Sequence, residues 1–502
     1  MGNPLFDAVF GIHAGRETTF LVLPDGIRIS HAGFLARAAR FAHALVALGV
    51  TPGHRVAVQV AKSADALALY AACVQAGAVF LPLNTAYLPA EVAWFVADAG
   101  PALLVAAPET GAVLAAGVGP VRVATLGVNG DGSLAALADG QPETFATVAR
   151  ATDDLAAILY TSGTTGRSKG AMLSQGNLLS NAQVLAQEWR FTADDVLLHA
   201  LPVFHTHGLF VATNTTLVAG GSMILMPRFD LDEAFRLLPQ ATAMMGVPTF
   251  YTRMLADARL TPEATAHMRL FVSGSAPLLA QTHRDFTART GQVILERYGM
   301  TELNMALSNP YEGERRPGTV GQPLPGVELR LRLDDGSDAP PDTPAVIEIR
   351  GPNVFRGYWN LPEKTAEELR PDGFFITGDI GQISADGYVT IVGREKDLVI
   401  AGGFNIYPAE IESVIDSLPG VAESAVIGVP HPDMGEGVVA VVVPDGAPPA
   451  EADIIAACAA RLARFKVPRR VVAVDSLPRN AMGKVQKADL RRRFAALFQP
   501  VA

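Results

Sequence analysis

Leu155-Ala-Ala-Ile-Leu-Tyr-Thr-Ser-Gly-Thr-Thr-Gly-Arg-Ser-Lys-Gly170 joins a short apolar run to a loop rich in glycine and hydroxyl side chains. The run from Leu155 to Tyr160 predicts a buried strand. In the loop, backbone N–H groups and hydroxyls are free to cradle phosphate oxygens, and Lys169 adds a cation. A Walker A loop follows its lysine with Ser or Thr, whereas Gly170 stands here. A plain linker is the alternative, but this composition favours a phosphate loop of another kind.

Strand and helix patterns alternate on both sides of this loop. Arg55 to Val60 predicts a strand, Ala64 to Gln75 a helix and Ala78 to Leu81 a second strand, which is a βαβ pattern. Further strands are predicted at 196–201, 222–226, 243–247, 269–273 and 293–297. The expected fold class is α/β, with largely parallel sheets covered by helices.

The secondary-structure pattern of the sequence changes after about Gly313. Gly/Pro-rich segments with short alternating strands predict a β-rich subdomain there, including a strand from Ala345 to Arg350. After the charged run Arg394 to Asp397, a helix and two strands predict a small α+β domain. We therefore expect a large N-terminal domain over residues 1–395 and a small C-terminal domain over residues 396–502.

Composition limits the class of protein. The chain has 502 residues, 49% of them hydrophobic, which is enough for two or three packed domains. Its 40 Lys+Arg against 50 Asp+Glu give a net charge of −10, which argues against a nucleic-acid partner. The longest apolar stretch, Ala66 to Leu83, is broken by Gln75 and Gly77, so no membrane span is expected. Since residues 1–15 do not resemble a signal peptide, we expect a cytoplasmic location.

Beyond the phosphate loop, the chain resembles the acyl-adenylate-forming superfamily of acyl-CoA synthetases, luciferases and peptide-synthetase adenylation domains. The resemblance covers roughly residues 150 to 490. It rests on four further motifs in the expected order: Tyr298-Gly-Met-Thr-Glu302, Ile376-Thr-Gly-Asp379, Gly393-Arg-Glu-Lys-Asp397 with Gly402-Gly-Phe-Asn-Ile-Tyr-Pro408, and Pro478-Arg-Asn-Ala-Met-Gly-Lys484.

The resemblance implies ATP, Mg²⁺ and coenzyme A as cofactors. Thr165 and Glu302 are the expected ligands of Mg²⁺, Thr301 is expected to bond the α-phosphate, and Lys484 to bridge carboxylate and phosphate during adenylation. Asp379 and Arg394 are expected on the ribose. The other expected nucleotide-binding residues are Thr161, Ser162, Gly163, Thr164, Gly166 and Lys169 on the phosphate loop, Ser273, Gly274, Ser275, Ala276 and Pro277 on the adenine segment, and Glu296, Arg297, Tyr298 and Gly299 beside it.

The resemblance also implies motion. The small domain of this superfamily rotates between the two half-reactions, so the C-terminal domain is expected to be mobile, with Lys396 as its pivot. Gly402, Gly403 and Phe404 would then face the coenzyme A tunnel. Acetylation of Lys484 by a lysine acetyltransferase is a further expectation, because it would remove a charge that adenylation uses.

The acid is suggested by the residues after the strand at 196–201. His205-Thr-His207-Gly-Leu stands where the family places the wall between acyl pocket and coenzyme A tunnel, which favours an acyl-site role for His207. The residues of this segment and of the motifs at 246–253, 272–278 and 295–302 resemble those of malonyl-CoA synthetases. The resemblance implies that the substrate acid is malonate, with methylmalonate as a side substrate. A second carboxylate needs a buried cation. Arg253 is the first candidate for this cation and Arg284 the second. Thr206 and Met305 are expected to shape the space around carbon 2 of the acid.

Two other interpretations stay open. A short-chain, medium-chain or aryl acyl-CoA synthetase would have the same fold and motifs. A non-catalytic nucleotide-binding regulator would be of another class, and it should have lost Lys484, Glu302 or Asp379, all of which are present.

Overall fold

The computed structural model describes residues 2–161, 168–401, 404–447, 449–480 and 483–498. The strands of these ranges are, in chain order, β1 (Thr19–Val22), β2 (Arg28–Ser30), β3 (Arg55–Gln59), β4 (Val79–Pro82), β5 (Leu103–Ala106), β6 (Arg122–Thr125), β7 (Leu155–Thr161), β8 (Lys169–Ser174), β9 (Val196–His199), β10 (Ser222–Leu225), β11 (Ala243–Gly246), β12 (Leu270–Ser273), β13 (Leu295–Tyr298), β14 (Leu307–Ser308), β15 (Gln322–Pro323), β16 (Glu328–Arg332), β17 (Ala345–Arg350), β18 (Phe375–Ile383), β19 (Val389–Arg394), β20 (Val399–Ala401), β21 (Phe404–Ile406), β22 (Val421–His431), β23 (Gly435–Pro444) and β24 (Arg470–Ala473).

The α-helices of the same ranges are α1 (Pro4–Val9), α2 (His31–Ala47), α3 (Ala64–Gln75), α4 (Pro89–Ala99), α5 (Pro108–Gly117), α6 (Ser133–Ala138), α7 (Gln175–Glu188), α8 (Thr215–Ala219), α9 (Leu231–Leu237), α10 (Pro248–Leu255), α11 (Pro262–Thr265), α12 (Ala280–Thr290), α13 (Pro362–Glu368), α14 (Pro408–Ile415), α15 (Glu451–Arg461) and α16 (Lys487–Phe494). A π-helix over His207–Asn214 runs directly into α8.

Two large sheets form the body of the described chain. One has six strands in the order β6-β5-β3-β4-β7-β8, all parallel except β8. The other has nine, in the order β15-β14-β13-β12-β11-β9-β10-β1-β2, with a parallel centre from β13 to β1. The α/β fold class expected from the sequence is therefore confirmed.

Helix α3 shows why the longest apolar stretch is not a membrane span. All of its residues are buried, because it is alanine-rich on every side and packs in the core that joins the two sheets. Ser63 caps its first turn by accepting a hydrogen bond from the N–H of Ala66. Among the described residues, no helix combines the length and the apolar character that crossing a bilayer requires.

Smaller sheets follow the body. In the described chain, β16 to β19 form an antiparallel four-stranded sheet, which is the predicted β-rich subdomain. Strands β20 to β24 form a separate five-stranded sheet with α14, α15 and α16 against it. The expected boundary between residues 395 and 396 falls in the 3-10 turn Glu395–Asp397, which links the two sheets.

Candidate active site

The parallel strands of the nine-stranded sheet bring several predicted residues to one edge. Strands β9, β12 and β13 run in the same direction, so their carboxyl ends lie together. Ser273 ends β12, Tyr298 ends β13, and the loop to His207 leaves β9. This edge is where open α/β sheets bind ligands.

Asp379 lies at the meeting of the body and the antiparallel sheet. Its carboxylate is buried, accepts a hydrogen bond of 2.6 Å from the Tyr298 hydroxyl and pairs with Arg394 Nε at 2.8 Å. Asp379 and Arg394 face each other because they are register partners on β18 and β19. The structure thus joins the two residues expected on the ribose to one expected near the adenine.

Lys484 reaches this cluster from the small domain. Asn480 and Lys484 pair through their backbones at 2.9 Å, and Lys484 N–H also donates to Asn480 Oδ1 at 2.9 Å. Burial, and then the positive charge of Arg394, lower the pKa of the Lys484 amino group to about 8. The charges of Asp379 and Glu302 act on the same amino group. The structure therefore brings the predicted bridging lysine to the predicted phosphate and ribose residues.

The small domain touches the body at Gly483. Its φ is +75°, a conformation that glycine adopts without strain. A Cβ placed there would lie 3.8 Å from Thr249 Oγ1 on α10. Gly483, in the loop of Lys484, therefore lies close to α10 of the body.

Glu302 and Lys169 belong to a second polar cluster. The Glu302 carboxyl is buried, and burial raises its pKa. The Tyr358 hydroxyl lies 3.0 Å from Glu302 Oε1 and 2.6 Å from Glu368 Oε2. Lys169 Nζ lies 3.3 Å from both carboxylate oxygens of Glu368 and 4.1 Å from the centre of the Tyr358 ring.

The phosphate loop connects two antiparallel strands. Thr161 on β7 is the register partner of Lys169 on β8, so the loop between them is a hairpin connection. The predictions on Ser162, Gly163, Thr164, Thr165 and Gly166 lie outside the described residues.

His207 begins the π-helix and is buried. Its Nδ1 lies 3.1 Å from Ser275 Oγ, while its Nε2 has no partner. Burial, and then the charge of Arg297, lower the pKa of His207 well below its usual value, so the ring is neutral. Thr206 Oγ1 donates to Asn304 Oδ1 at 2.7 Å, which ties this wall to the segment after Glu302.

Arg297 is the feature of this wall that sequence reasoning did not assign to the acid. The residue is 3% exposed, yet Nε and Nη2 of its guanidinium have no hydrogen-bond partner. Burial lowers its pKa to about 9, so it stays positively charged at neutral pH. A Cβ at Gly274 would lie 2.3 Å from Arg297 Cζ, so only glycine leaves room for the guanidinium against that peptide.

Other buried polar atoms, at the ends of β12 and β13 and in the segment after Glu302, also lack a partner. Ser273 Oγ and Asn304 Nδ2 are buried without a partner, as is Oε2 of Glu296. Glu296 Oε1 accepts from the N–H of Leu278 at 3.2 Å, and burial raises the pKa of this carboxyl to about 8. Because buried polar atoms are normally bonded, unpartnered donors and acceptors at these positions indicate a binding wall.

The two arginines predicted for a second carboxylate do not lie in that wall. Arg253 on α10 and Arg284 on α12 are both exposed, and Arg284 donates to Gln281 Oε1 at 3.0 Å within its own helix. Neither meets the requirement for a buried cation, because both helices turn these side chains to solvent. That part of the prediction is corrected: Arg297 meets the requirement.

The remaining predicted residues take various positions. Met305 is buried behind Gly299, where a Cβ would lie 2.6 Å from its Cε. Thr301 is half-buried beside Glu302, while Ala276 is half-buried and Pro277 exposed on the adenine segment. Lys396 lies in the turn between the domains, within the electrostatic range of Lys484 and Arg394. Gly402 and Gly403, and the side chain of Phe404, lie outside what the structure describes.

Tyr358, Glu368 and the buried Lys62 were missed from the sequence. No motif quoted above contains them, and their partners are far away along the chain: 199 residues separate Lys169 from Glu368. Of the three, only Lys62 has a local signal, because a lysine in an otherwise apolar stretch is unusual.

Comparison with known proteins agrees with this geometry. The model of the AMP-binding enzyme family matches residues 12–359, and that of the AMP-binding enzyme C-terminal domain matches residues 410–484. A feruloyl-CoA synthase of Amycolatopsis sp is 39% identical over 93% of this chain and 94% of its own. A malonate–CoA ligase of Arabidopsis thaliana is 35% identical over 88% of this chain and 78% of its own.

Among solved structures, ATP-bound MatB from Rhodopseudomonas palustris is 56% identical, covers 99% of this chain and 100% of its own, and superposes with a TM-score of 0.97. The apo structure of MatB from the same organism, at the same identity and coverage, gives 0.86. The chain therefore has the overall arrangement of the ATP-bound relative.

Proposed function

The chain belongs to the AMP-binding enzyme family and is an AMP-forming acid–CoA ligase, and from this premise we propose that its acid is malonate. In the first half-reaction, a substrate carboxylate oxygen attacks the α-phosphorus of ATP, and pyrophosphate leaves. In the second, the sulfur of coenzyme A attacks the acyl carbon, AMP leaves, and the thiol proton is released. Methylmalonate is proposed as a side substrate.

The main support for malonate as the acid is the guanidinium of Arg297, which is buried and has two nitrogens without a partner. A charged group that is 3% exposed costs several kcal/mol unless an anion accompanies it. Malonate keeps a second carboxylate after the first is activated, and that carboxylate can accept the free Nε and Nη2 donors as a bidentate pair. The side chains of Ser273, Asn304 and His207 offer further polar atoms to the same anion.

The same observation weighs against the alternative acids. An aryl acid such as ferulate, or a short monocarboxylic acid, brings no second charge, so it would leave Arg297 buried and unpaired. Thr206 and Met305, both buried in this wall, are proposed to limit the substituent at C2.

The proposed roles at the nucleotide follow from the contacts. The buried Asp379 has two oxygens for the ribose hydroxyls, and Arg394 holds its orientation at 2.8 Å. Lys484 is proposed to neutralise charge that builds between carboxylate and α-phosphate, and Thr301 to donate to the α-phosphate. The His207 ring is neutral, because its pKa lies well below the usual value. Its Nε2, which has no partner, is proposed to orient the acyl group.

Magnesium fits this site through one carboxylate. The described residues hold no cluster of three or more metal-binding side chains, and Mg²⁺ commonly uses one or two carboxylates together with substrate phosphates. Glu302, buried beside Lys169 and Lys484, is the proposed ligand, with Thr165. Bound there, the ion would supply charge neutralisation on the phosphates.

The substrate is tested by AMP release that depends on both ATP and coenzyme A. Acetate, butyrate, octanoate, benzoate, ferulate, malonate and methylmalonate are compared with purified protein. Preference for malonate supports the proposal. Preference for a monocarboxylate would leave the ligase activity in place and exclude malonate as the substrate. No turnover with any acid would favour the non-catalytic nucleotide-binding regulator.

Arg297→Met tests the second carboxylate. We expect kcat/KM for malonate to fall about 100-fold, because the loss of a buried charge pair weakens binding by about 3 kcal/mol. The values for acetate and butyrate should be unchanged or higher, since methionine fills the same space without a charge. Arg253→Gln and Arg284→Gln are the matched controls at exposed positions. An equal loss for malonate and acetate would argue against this role.

A cytoplasmic location and control by acetylation of Lys484 stay predictions.

A further inference from the structure

Glu368, at the end of α13, contacts three side chains of the nucleotide side of the site. Its carboxylate lies 3.3 Å from Lys169 Nζ, 2.6 Å from the Tyr358 hydroxyl and 2.9 Å from Lys364 Nζ. Tyr358 in turn contacts Glu302 at 3.0 Å. One carboxylate therefore joins the lysine of the phosphate loop to the proposed magnesium ligand.

The contacts between Glu368 and its neighbours are partly shielded from solvent. Glu368 is 22% exposed and Lys169 is 20% exposed, so solvent screens their pairing only in part. Although burial alone would raise the pKa of Glu368, the hydrogen bonds from Tyr358 and Lys364 and the charge of Lys169 hold it below its usual value. The carboxylate is therefore an anion with two cations and one hydroxyl around it.

Backbone hydrogen bonds hold the segment of Tyr358 against both loops. Trp359 N–H donates to Gly170 O at 2.7 Å, and Met172 N–H donates to Gly357 O at 3.0 Å, so the segment lies alongside β8 next to Lys169. Phe355 N–H donates to Glu302 O at 2.9 Å. The segment thus fixes the position of Tyr358 relative to both Lys169 and Glu302.

We propose that Glu368 is a positioning residue for ATP: it holds the Lys169 ammonium at the mouth of the phosphate loop and, through Tyr358, the Glu302 carboxylate. The proposal concerns the nucleotide alone and does not depend on which acid is used. An ammonium on a flexible four-carbon chain loses rotamer freedom when it binds phosphate, and a contact that orders it beforehand removes part of that cost. The negative charge of Glu368 is paired with Lys169 and with Lys364, which limits its repulsion of the phosphates.

The chain provides a matched control one residue away. Glu367 also accepts a hydrogen bond from Lys364, at 2.8 Å, but it is exposed. Glu368→Gln and Glu367→Gln remove the same charge from adjacent positions that share one lysine. They differ in the contacts to Lys169 and Tyr358.

The measurement is the Kd for ATP with Mg²⁺, by titration calorimetry on the full chain without acid or coenzyme A. Glu368→Gln is expected to weaken ATP binding about tenfold, whereas Glu367→Gln leaves it unchanged. In ATP–pyrophosphate exchange, KM for ATP should rise while KM for the acid stays constant, and Glu368→Asp should recover part of the affinity. A merely structural role would change both KM values.

Tyr358→Phe provides an independent test, because it removes only the hydroxyl that joins Glu368 to Glu302. A threefold to tenfold weaker Kd for ATP is expected, which corresponds to the loss of one hydrogen bond of about 1 kcal/mol. The proposal is overturned if Glu368→Gln binds ATP as tightly as the unchanged protein or more tightly. It is also overturned if the two glutamate variants lose the same affinity, or if Tyr358→Phe binds ATP normally.

Discussion

At the scale of single residues, Lys484 shows how position sets chemistry. Its amino group has an ordinary pKa of 10.5, which burial and then Arg394 lower to about 8 in the folded protein. The charged ammonium, which the proposed role in adenylation uses, is the form present below the pKa. The charged fraction therefore falls as the pH rises through about 8, well before an exposed lysine would lose its proton.

We expect kcat/KM for ATP in ATP–pyrophosphate exchange to fall about tenfold per pH unit above pH 8, since this parameter reports the free enzyme. The assay omits coenzyme A, so its thiol does not contribute. Any exchange retained by Lys484→Arg should persist above pH 9, because a guanidinium stays protonated. Lys484→Ala should lose exchange at every pH and still bind ATP. A flat profile up to pH 10 in the unchanged protein would refute this role of the lowered pKa.

At the scale of elements, the end of β9 is held by a buried lysine. Lys62, between β3 and α3, donates to His199 Nδ1 at 2.7 Å, to His199 O at 2.7 Å and to Leu201 O at 2.9 Å. His199 Nε2 donates to Gly208 O at 2.8 Å, so its Nδ1 is free to accept. The pair is held by its contacts, since the three groups around Lys62 Nζ all accept from it, while burial lowers the pKa of this amino group well below its usual value. It fixes both ends of the loop that presents His207.

Lys62→Met should lower the apparent Tm by several degrees, because the substitution leaves two buried carbonyls and one imidazole nitrogen without a donor, at about 1–3 kcal/mol each. His199→Gln should cost less, since glutamine can still accept from Lys62 and donate to Gly208 O. Arg492→Gln, on the exposed face of α16, is the control. Differential scanning fluorimetry measures all three, and an unchanged Tm for Lys62→Met would show that the loop is held by other contacts.

At the scale of the whole molecule, two structures of one relative superpose differently on this chain. The chain matches ATP-bound MatB with a TM-score of 0.97 and apo MatB with 0.86, although the identity is 56% in both cases. The ATP-bound and apo structures of that relative therefore differ in the placement of some part of the chain, and we expect that part to be the small domain. In this chain Gly483 lies near Thr249, and Lys484 lies within the electrostatic range of Asp379 and Glu302.

A disulfide between Thr249→Cys and Gly483→Cys should lock this arrangement, because a Cβ at Gly483 lies 3.8 Å from Thr249 Oγ1, within the reach of a disulfide. The native Cys73 and Cys458 are both buried and should not compete. The oxidised protein should keep ATP–pyrophosphate exchange and lose most thioester formation, and reduction should restore it. Gly483→Cys alone measures the cost of its positive φ, about 1–2 kcal/mol. Equal thioester rates before and after reduction would contradict the rotation.

The sequence by itself determined the features that depend on neighbours along the chain. The pattern 64–75 predicted helix α3 with the ends that the structure has, and the strands that were predicted in the two large sheets agree to within one or two residues, because hydrophobic periodicity is local. Strands β1, β5 and β6 were not predicted. The α/β class followed from the alternation of strand and helix patterns, and the ligase family from ordered motifs. Each motif is a short continuous run of residues, so its spacing survives folding unchanged.

The tertiary structure alone decided which charges are buried. Arg253 and Arg284 lie on helices and Arg297 at the end of a predicted strand, but the sequence alone does not show which of the three is the buried cation. Exposure depends on which helix face packs against a sheet that is built from distant strands. The contact of Glu368 with Lys169 spans 199 residues for the same reason. Burial and pairing set the charge and reach of these side chains, and both arise only when the sheets and the two domains come together.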